Sequence, residues 1–268
     1  MKLHYVLMAA LLAGSPAAAK PVTRAAPSPA AVKSDPVALK AACDKLATLV
    51  TPDRMIPQQT DKIITTMMQA LLEKDAGFAA LNDKYPGMTD AIGQRVRPIM
   101  LESSMLTLPQ YRADLSNLYA ANFTLAEANA VVAFLSSADG QALVNSANDN
   151  LDYKTSVKAL TAGGEASSKD LRQDARAAAE QTVGALPPAR KARIGAFFAT
   201  PAGQKIIAMG PRKDELDQKW FNYKPPGLED RISRATIEAM LDHIAKTDPQ
   251  TSQRMRTALI DKGVLPKN

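Results

Sequence analysis

The sequence predicts an all-α protein built from short helices. Aromatic residues make up only 5% of the 268 residues, alanine is abundant, and long runs of β-branched residues are absent. Apolar residues recur at steps of three and four beyond residue 35, which is the spacing of one helix face. A helix–corner–helix unit also occurs twice, once around Phe134 and once around Phe197. Together these features indicate two lobes of short helices, each with one copy of the unit.

The first 19 residues have the order of a secretory signal peptide. Lys2 carries a positive charge, Val6–Gly14 is apolar, and Ser15–Ala19 supplies a helix breaker and an Ala-x-Ala cleavage site. The apolar run is far shorter than the roughly 20 residues that span a bilayer. We therefore expect export and cleavage after Ala19. In a Gram-negative source the protein would be periplasmic, without a transmembrane segment.

The chain beyond the signal peptide divides into a leader and two lobes. Residues 20–35 are rich in Pro, Ala and Ser, and this composition predicts disorder. Helical periodicity follows, and it is interrupted at Leu160–Asp170 by glycines and small polar residues. This break predicts one helical lobe at residues 36–162 and a second at residues 163–268. The two lobes can share one core or have separate cores.

The predicted helices can be justified in chain order. A helix from Pro36 ends before Pro52, and a broad apolar stripe predicts a helix over Gln58–Leu81. Helical spacing resumes over Thr89–Leu106 with a kink expected at Pro98, and Pro109 then opens another helix as a first-turn residue. Beyond the second copy of the repeated unit, the remaining helices are predicted at residues 228–245 and 249–262.

Each copy of the repeated unit is predicted to be a short helix, a tight corner and a second helix. Thr124 and Glu127 form a capping box at the start of the first copy. The predicted corner residues are Phe134, Gly140 and Gln141 in the first copy, and Phe197, Thr200, Pro201, Gly203 and Gln204 in the second. Glycine in a first helical turn costs about 1 kcal/mol relative to alanine. We therefore expect each glycine to face a close backbone, and each glutamine to hydrogen-bond open carbonyls of the preceding helix.

The stretch "YAANFTLAEANAVVAFLSSADGQALV" resembles the core of an exported bacterial family catalogued as domain of unknown function 2059. The similar features are Phe-Thr after an aromatic residue, an acidic helix start, a helix that ends in Phe, and a Gly-Gln corner. The resemblance is clearest over Tyr111–Val144 and weaker over Leu186–Ile207. It implies an all-helical, secreted protein without an assigned activity, and it carries over no catalytic residue.

No catalytic or metal-binding constellation is predicted, and no cofactor. His243 is the sole histidine after the signal peptide, and Glu238 and Asp242 lie off the i, i+3 and i+4 steps that would clamp a metal. Cys43 lies among alanines and is predicted to be a buried, inert thiol. The charged segment at residues 211–219 is predicted to be a solvated helix. We therefore expect a non-enzymatic protein.

The preferred function is a protein-interaction or scaffold module of the cell envelope. The corners would form a groove or flat face for an envelope protein or for a second copy of the chain. Trp220, Phe221 and Tyr223 are candidate interface residues because exposed aromatic side chains are typical of interfaces. The alternative for Trp220 is burial in the core of the second lobe.

The alternative function is binding to anionic envelope surfaces or lipid head groups. Residues 163–268 contain 18 basic and 13 acidic residues, whereas residues 20–162 contain 14 of each. Such an excess attracts anionic surfaces or simply keeps the protein soluble. Arg190, Lys191 and Arg193 are candidate anion-binding residues, because they lie near a helix start, where an anion would offset their unfavourable position. No nucleic-acid partner is expected.

Overall fold

A computed structural model describes residues 35–266, and these residues are almost wholly helical, without a β-strand. The prediction of an all-α fold is confirmed. The predicted signal peptide and nearly all of the predicted leader lie outside the described residues. The helices are α1 (Pro36–Val50), a 3-10 turn (Asp53–Met55), α2 (Ile56–Lys74), α3 (Ala76–Lys84), α4 (Met88–Ala120), α5 (Leu125–Ser136), α6 (Ala138–Asn150), α7 (Lys154–Thr161), α8 (Ser168–Ala185), α9 (Pro188–Phe198), α10 (Pro201–Ala208), α11 (Gly210–Asn222), α12 (Leu228–Ala245) and α13 (Pro249–Asp261).

Two predicted helix boundaries are wrong. The helix expected over Gln58–Leu81 is divided at Asp75, whose carboxylate accepts a hydrogen bond from the Phe78 backbone at 3.0 Å and so starts α3. In contrast, α4 runs for 33 residues through both Pro98 and Pro109. Each proline removes one backbone donor and crowds the preceding turn. The helix nevertheless continues, because its buried face packs against α1, α2, α11 and α12 along its length.

One hydrophobic cluster extends across both predicted lobes. It joins Leu46 and Ile63 of the N-terminal helices to Leu115 of α4 and to Phe221 and Ala239 of the C-terminal helices. Helix α4 therefore lies at the centre of the apolar interior. The core is continuous across residue 162. The division of the chain into two lobes near that residue stays a prediction.

The charged segment at residues 211–219 contains a buried ion pair, so its prediction as a solvated helix is wrong. Lys213 and Asp217 are each only 2% exposed, and the Lys213 ammonium group hydrogen-bonds the Asp217 carboxylate. The Tyr111 hydroxyl donates to the other Asp217 oxygen at 2.7 Å. Burial raises the pKa of Asp217 to about 6, although Lys213 and Tyr111 act in the opposite direction. The spacing of four residues places both charges on the face of α11 that meets α4.

Candidate functional site

The first corner is held by hydrogen bonds between its two helices. The Ser137 hydroxyl donates to the Phe134 carbonyl at 2.6 Å and accepts from the Gly140 backbone at 3.2 Å. The Gln141 side chain donates to the Leu135 carbonyl at 2.6 Å. A Cβ atom on Gly140 would lie 2.1 Å from the Phe134 carbonyl oxygen, so only glycine fits. These are the contacts that the sequence predicts for the glycine and the glutamine.

The second corner repeats the same contacts at the same distances. Thr200 replaces the serine, donates to the Phe197 carbonyl at 2.6 Å and accepts from the Gly203 backbone at 3.2 Å. Gln204 donates to the Phe198 carbonyl at 2.6 Å. A Cβ atom on Gly203 would lie 2.4 Å from the Phe197 carbonyl oxygen. The two corners are therefore equivalent in three dimensions as well as in sequence, and Pro201 occupies the first turn of α10.

The two copies pack against each other. The rings of Phe134 and Phe197 are parallel within 4°, with centroids 3.9 Å apart, and Phe198 contacts Phe134 edge-on at 5.7 Å. Helix α5 contacts α10, and α6 contacts α9. The first helix of each copy thus meets the second helix of the other. This exchange is the arrangement that a two-fold axis produces at an isologous interface.

Ion pairs join the copies at both helix starts. Lys205 of α10 lies 2.7 Å from Glu127, the capping-box carboxylate of α5. Arg193 and Arg190 of α9 lie 2.6 and 3.0 Å from Asp139, at the start of α6. The Arg193 guanidinium, together with Arg190, holds the pKa of Asp139 below its ordinary value. The anion beside these two candidate anion-binding residues is therefore a carboxylate of the same chain.

The basic excess of the C-terminal half is largely directed at the N-terminal half. Among the described residues, five ion pairs connect a base beyond residue 162 to an acid before it, and two run the other way. The five are Arg190–Asp139, Arg193–Asp139, Lys205–Glu127, Lys219–Asp114 and Arg231–Glu102; the two are Lys84–Asp248 and Arg95–Asp242. Lys191 donates to the Gly184 carbonyl at 3.2 Å. Part of the charge difference between the two halves is therefore neutralised by ion pairs within the chain.

Two of the three candidate interface aromatics are core residues. Trp220 is buried against Tyr111, and its indole nitrogen donates to Asp114 at 2.9 Å. Phe221 is also buried. Tyr223, at the end of α11, is 41% exposed. Burial of Trp220 is the alternative that the sequence left open, and it leaves Tyr223 as the exposed member of the three.

The stacked phenylalanine rings and the small residues near them in sequence form a surface that is here called the corner face, and the exposed Arg193 lies one helical turn before Phe197. Phe134, Phe197 and Phe198 are half-buried, and nine exposed residues near them in sequence are small and uncharged. They are Ala130, Ala133, Ser136, Ser137, Gly195, Ala196, Ala199, Thr200 and Pro201. Sequence reasoning predicted a groove or flat face at the corners but did not identify the alanines that border it, because exposed alanine in a helix is also what helix propensity alone would produce.

Cys43 and His243 lie in different surroundings. The Cys43 thiol is buried, and burial raises its pKa to about 11, which removes the reactive thiolate at neutral pH. The His243 ring nitrogen Nε2 lies 3.0 Å from the Pro86 carbonyl. Among residues 35–266, no three His, Cys, Asp or Glu side chains converge as metal ligands.

Comparisons with known proteins give no relative for this chain: no family model, curated protein or solved structure matches it. The resemblance to domain of unknown function 2059 therefore stays a prediction. None of the helices described between residues 35 and 266 combines the length and apolar character needed to cross a bilayer.

Proposed function

We propose that this chain is an exported, non-enzymatic helical module that binds a protein partner in the cell envelope through the corner face. The observation that carries this proposal is the half-buried aromatic stack, which has small, uncharged side chains near it in sequence. Depletion of charge around aromatic side chains is typical of interface centres. Small side chains on α5 and α9 would also let a partner helix approach closely, since interaxial distance depends on the contacting side chains. The partner is an envelope protein or a second copy of this chain.

Site-specific cross-linking in the living cell envelope tests this proposal. A photoreactive residue at Ala133 or Ala196, both exposed on the corner face, should give a discrete cross-linked product. The same residue at Ala177, an exposed alanine of α8, is the matched control and should give none. Ala196→Arg should abolish the product from position 133. A product of equal yield from Ala177, or none from Ala133 and Ala196, would refute the corner face as the docking site.

Binding to anionic envelope surfaces is the second candidate. The observation in its favour is that Arg193 keeps 60% of its side chain exposed while it is paired with Asp139. Sedimentation of the full chain with anionic vesicles tests it. Binding should weaken as salt rises, because the Debye length falls from about 8 Å at physiological ionic strength to about 3 Å at 1 M. Arg193→Glu should abolish sedimentation, and unchanged binding would remove this candidate.

A further inference from the structure

Helix α2 is joined to α6 and α7 by hydrogen bonds at steps of four residues. Gln58, Lys62, Thr66 and Lys74 donate in turn to the Asp149 side chain at 2.9 Å, the Asn148 carbonyl at 2.9 Å, the Asp152 carbonyl at 2.8 Å and the Thr161 carbonyl. Residues at this spacing lie along one helix face. Ala70 has the remaining position in the series, and its side chain has no polar atom. The series therefore has no side-chain hydrogen bond at Ala70, between Thr66 and Lys74.

A surface cavity of about 490 Å³, here called the furrow, lies beside Ala70. Lys74, Lys154 and Lys158 line it, and Glu73 is its one carboxylate among the described residues. Lys154 pairs with Asp152 at 2.9 Å, but its side chain remains 74% exposed. The walls of the furrow thus carry three lysines and one glutamate, and the Lys74 and Lys154 ammonium groups also contact the Thr161 carbonyl and the Asp152 carboxylate.

The start of α7 does not supply the binding groups. The Asp174 carboxylate already accepts hydrogen bonds from the Thr155 and Ser156 backbone amides, at 2.8 Å each. An anion in the furrow would therefore be held by side chains. Lysine ammonium groups bind phosphate as compact point charges, and each has three donors that can reach different phosphate oxygens.

We propose that this furrow binds a phosphate group, which bridges Lys74, Lys154 and Lys158 and completes the series of contacts between α2 and α7. Coulomb attraction between the lysine side chains and the anion would favour binding. The site is separate from the corner face, so the two proposals stand or fall independently.

An NMR titration of the full chain with inorganic phosphate, at constant ionic strength, tests the site. The backbone amides of Ala70 and Lys158 should shift and saturate. Lys158→Gln should weaken the affinity about two- to fivefold, the range expected for one exposed charged contact. Glu73→Gln should strengthen it by a similar factor. Lys45→Gln, at an exposed lysine of α1, is the matched control and should change nothing.

The absence of saturable shifts, or equal weakening by Lys158→Gln and Lys45→Gln, would overturn the proposal. Vesicles of phosphatidylcholine with and without phosphatidic acid then identify the source of the phosphate. Phosphatidic-acid-dependent sedimentation that Lys158→Gln weakens supports a lipid head group, whereas phosphate binding without sedimentation supports a free phosphate. Ala133→Arg on the corner face should leave the phosphate affinity unchanged.

Discussion

Position 203 has no room for a Cβ atom. The sequence predicts a close backbone contact there, and the structure gives its distances. A Cβ atom there would meet the Phe197 carbonyl oxygen at 2.4 Å and the Phe198 Cα at 2.6 Å, both in the rigid backbone. Gly203→Ala should therefore lower the free energy of unfolding by about 1–3 kcal/mol through overpacking. Gly195, inside α9, has nothing within 4 Å of its would-be Cβ. In chemical denaturation Gly195→Ala should be neutral or stabilising by up to about 1 kcal/mol, and equal destabilisation by both changes would contradict the close approach.

The buried Lys213–Asp217 pair gives a second prediction for single residues. Asp217→Asn would leave the Lys213 ammonium group in the interior without its carboxylate, and we expect a loss of about 3–5 kcal/mol in the free energy of unfolding. The double variant Lys213→Met with Asp217→Leu should recover most of this loss, because apolar residues of similar size often replace a buried pair without cost. Denaturant titration would measure both. Asp217→Asn with unchanged stability would show that the pair does not depend on its charges.

At the scale of elements, the corners can be predicted from the sequence because their signals are local. Thr124 with Glu127, and Thr200 with Pro201, mark helix starts within four residues. The continuity of α4 through Pro109 cannot be predicted this way, since the compensating contacts come from helices distant in sequence. For the same reason, the alternating charged residues at 211–219 did not predict the buried Lys213–Asp217 pair of α11. The residues that line the corner face and the furrow also cannot be predicted from local sequence signals, because both surfaces depend on which helices become neighbours.

The packing of one copy on the other should appear as energetic coupling between Phe134 and Phe197. Their parallel rings are expected to contribute about 0.5–1.5 kcal/mol beyond the apolar area that they bury. A double-mutant cycle with Phe134→Ala and Phe197→Ala should measure an interaction of that size. The matched cycle pairs Phe134→Ala with Phe78→Ala, on α3, and should be additive. Additivity in both cycles would mean that the stack contributes no specific energy.

For the whole molecule, the ion pairs between the two halves predict how stability depends on pH. Hydrogen bonds from Arg193 to Asp139 and from Arg231 to Glu102 lower the pKa of each carboxylate. A carboxyl group whose pKa is lower in the folded chain than in the unfolded chain stabilises the folded state at pH values above its unfolded pKa. This contribution is lost as the pH falls through the pKa of the folded chain. The free energy of unfolding should therefore decline below about pH 4.5, near the unfolded pKa of these groups.

The double variant Asp139→Asn with Glu102→Gln is the test of that dependence. It should show a shallower decline than the unmodified chain when unfolding is followed by urea titration at successive pH values. The buried Asp217 acts in the opposite sense and is common to both proteins, so it does not affect the difference. Identical slopes would mean that the pairs between the halves do not couple folding to proton binding.

The pairing of the two corners also bears on how such a molecule could arise. A chain with a single corner would expose its phenylalanine and its helix-start carboxylate, and it could cover them only by meeting another molecule. Such an encounter depends on concentration. Two copies in one polypeptide make the same contact at a fixed, high effective concentration. The Phe134–Phe197 stack is the contact that duplication of a single corner, followed by fusion of the two copies, would place within one chain.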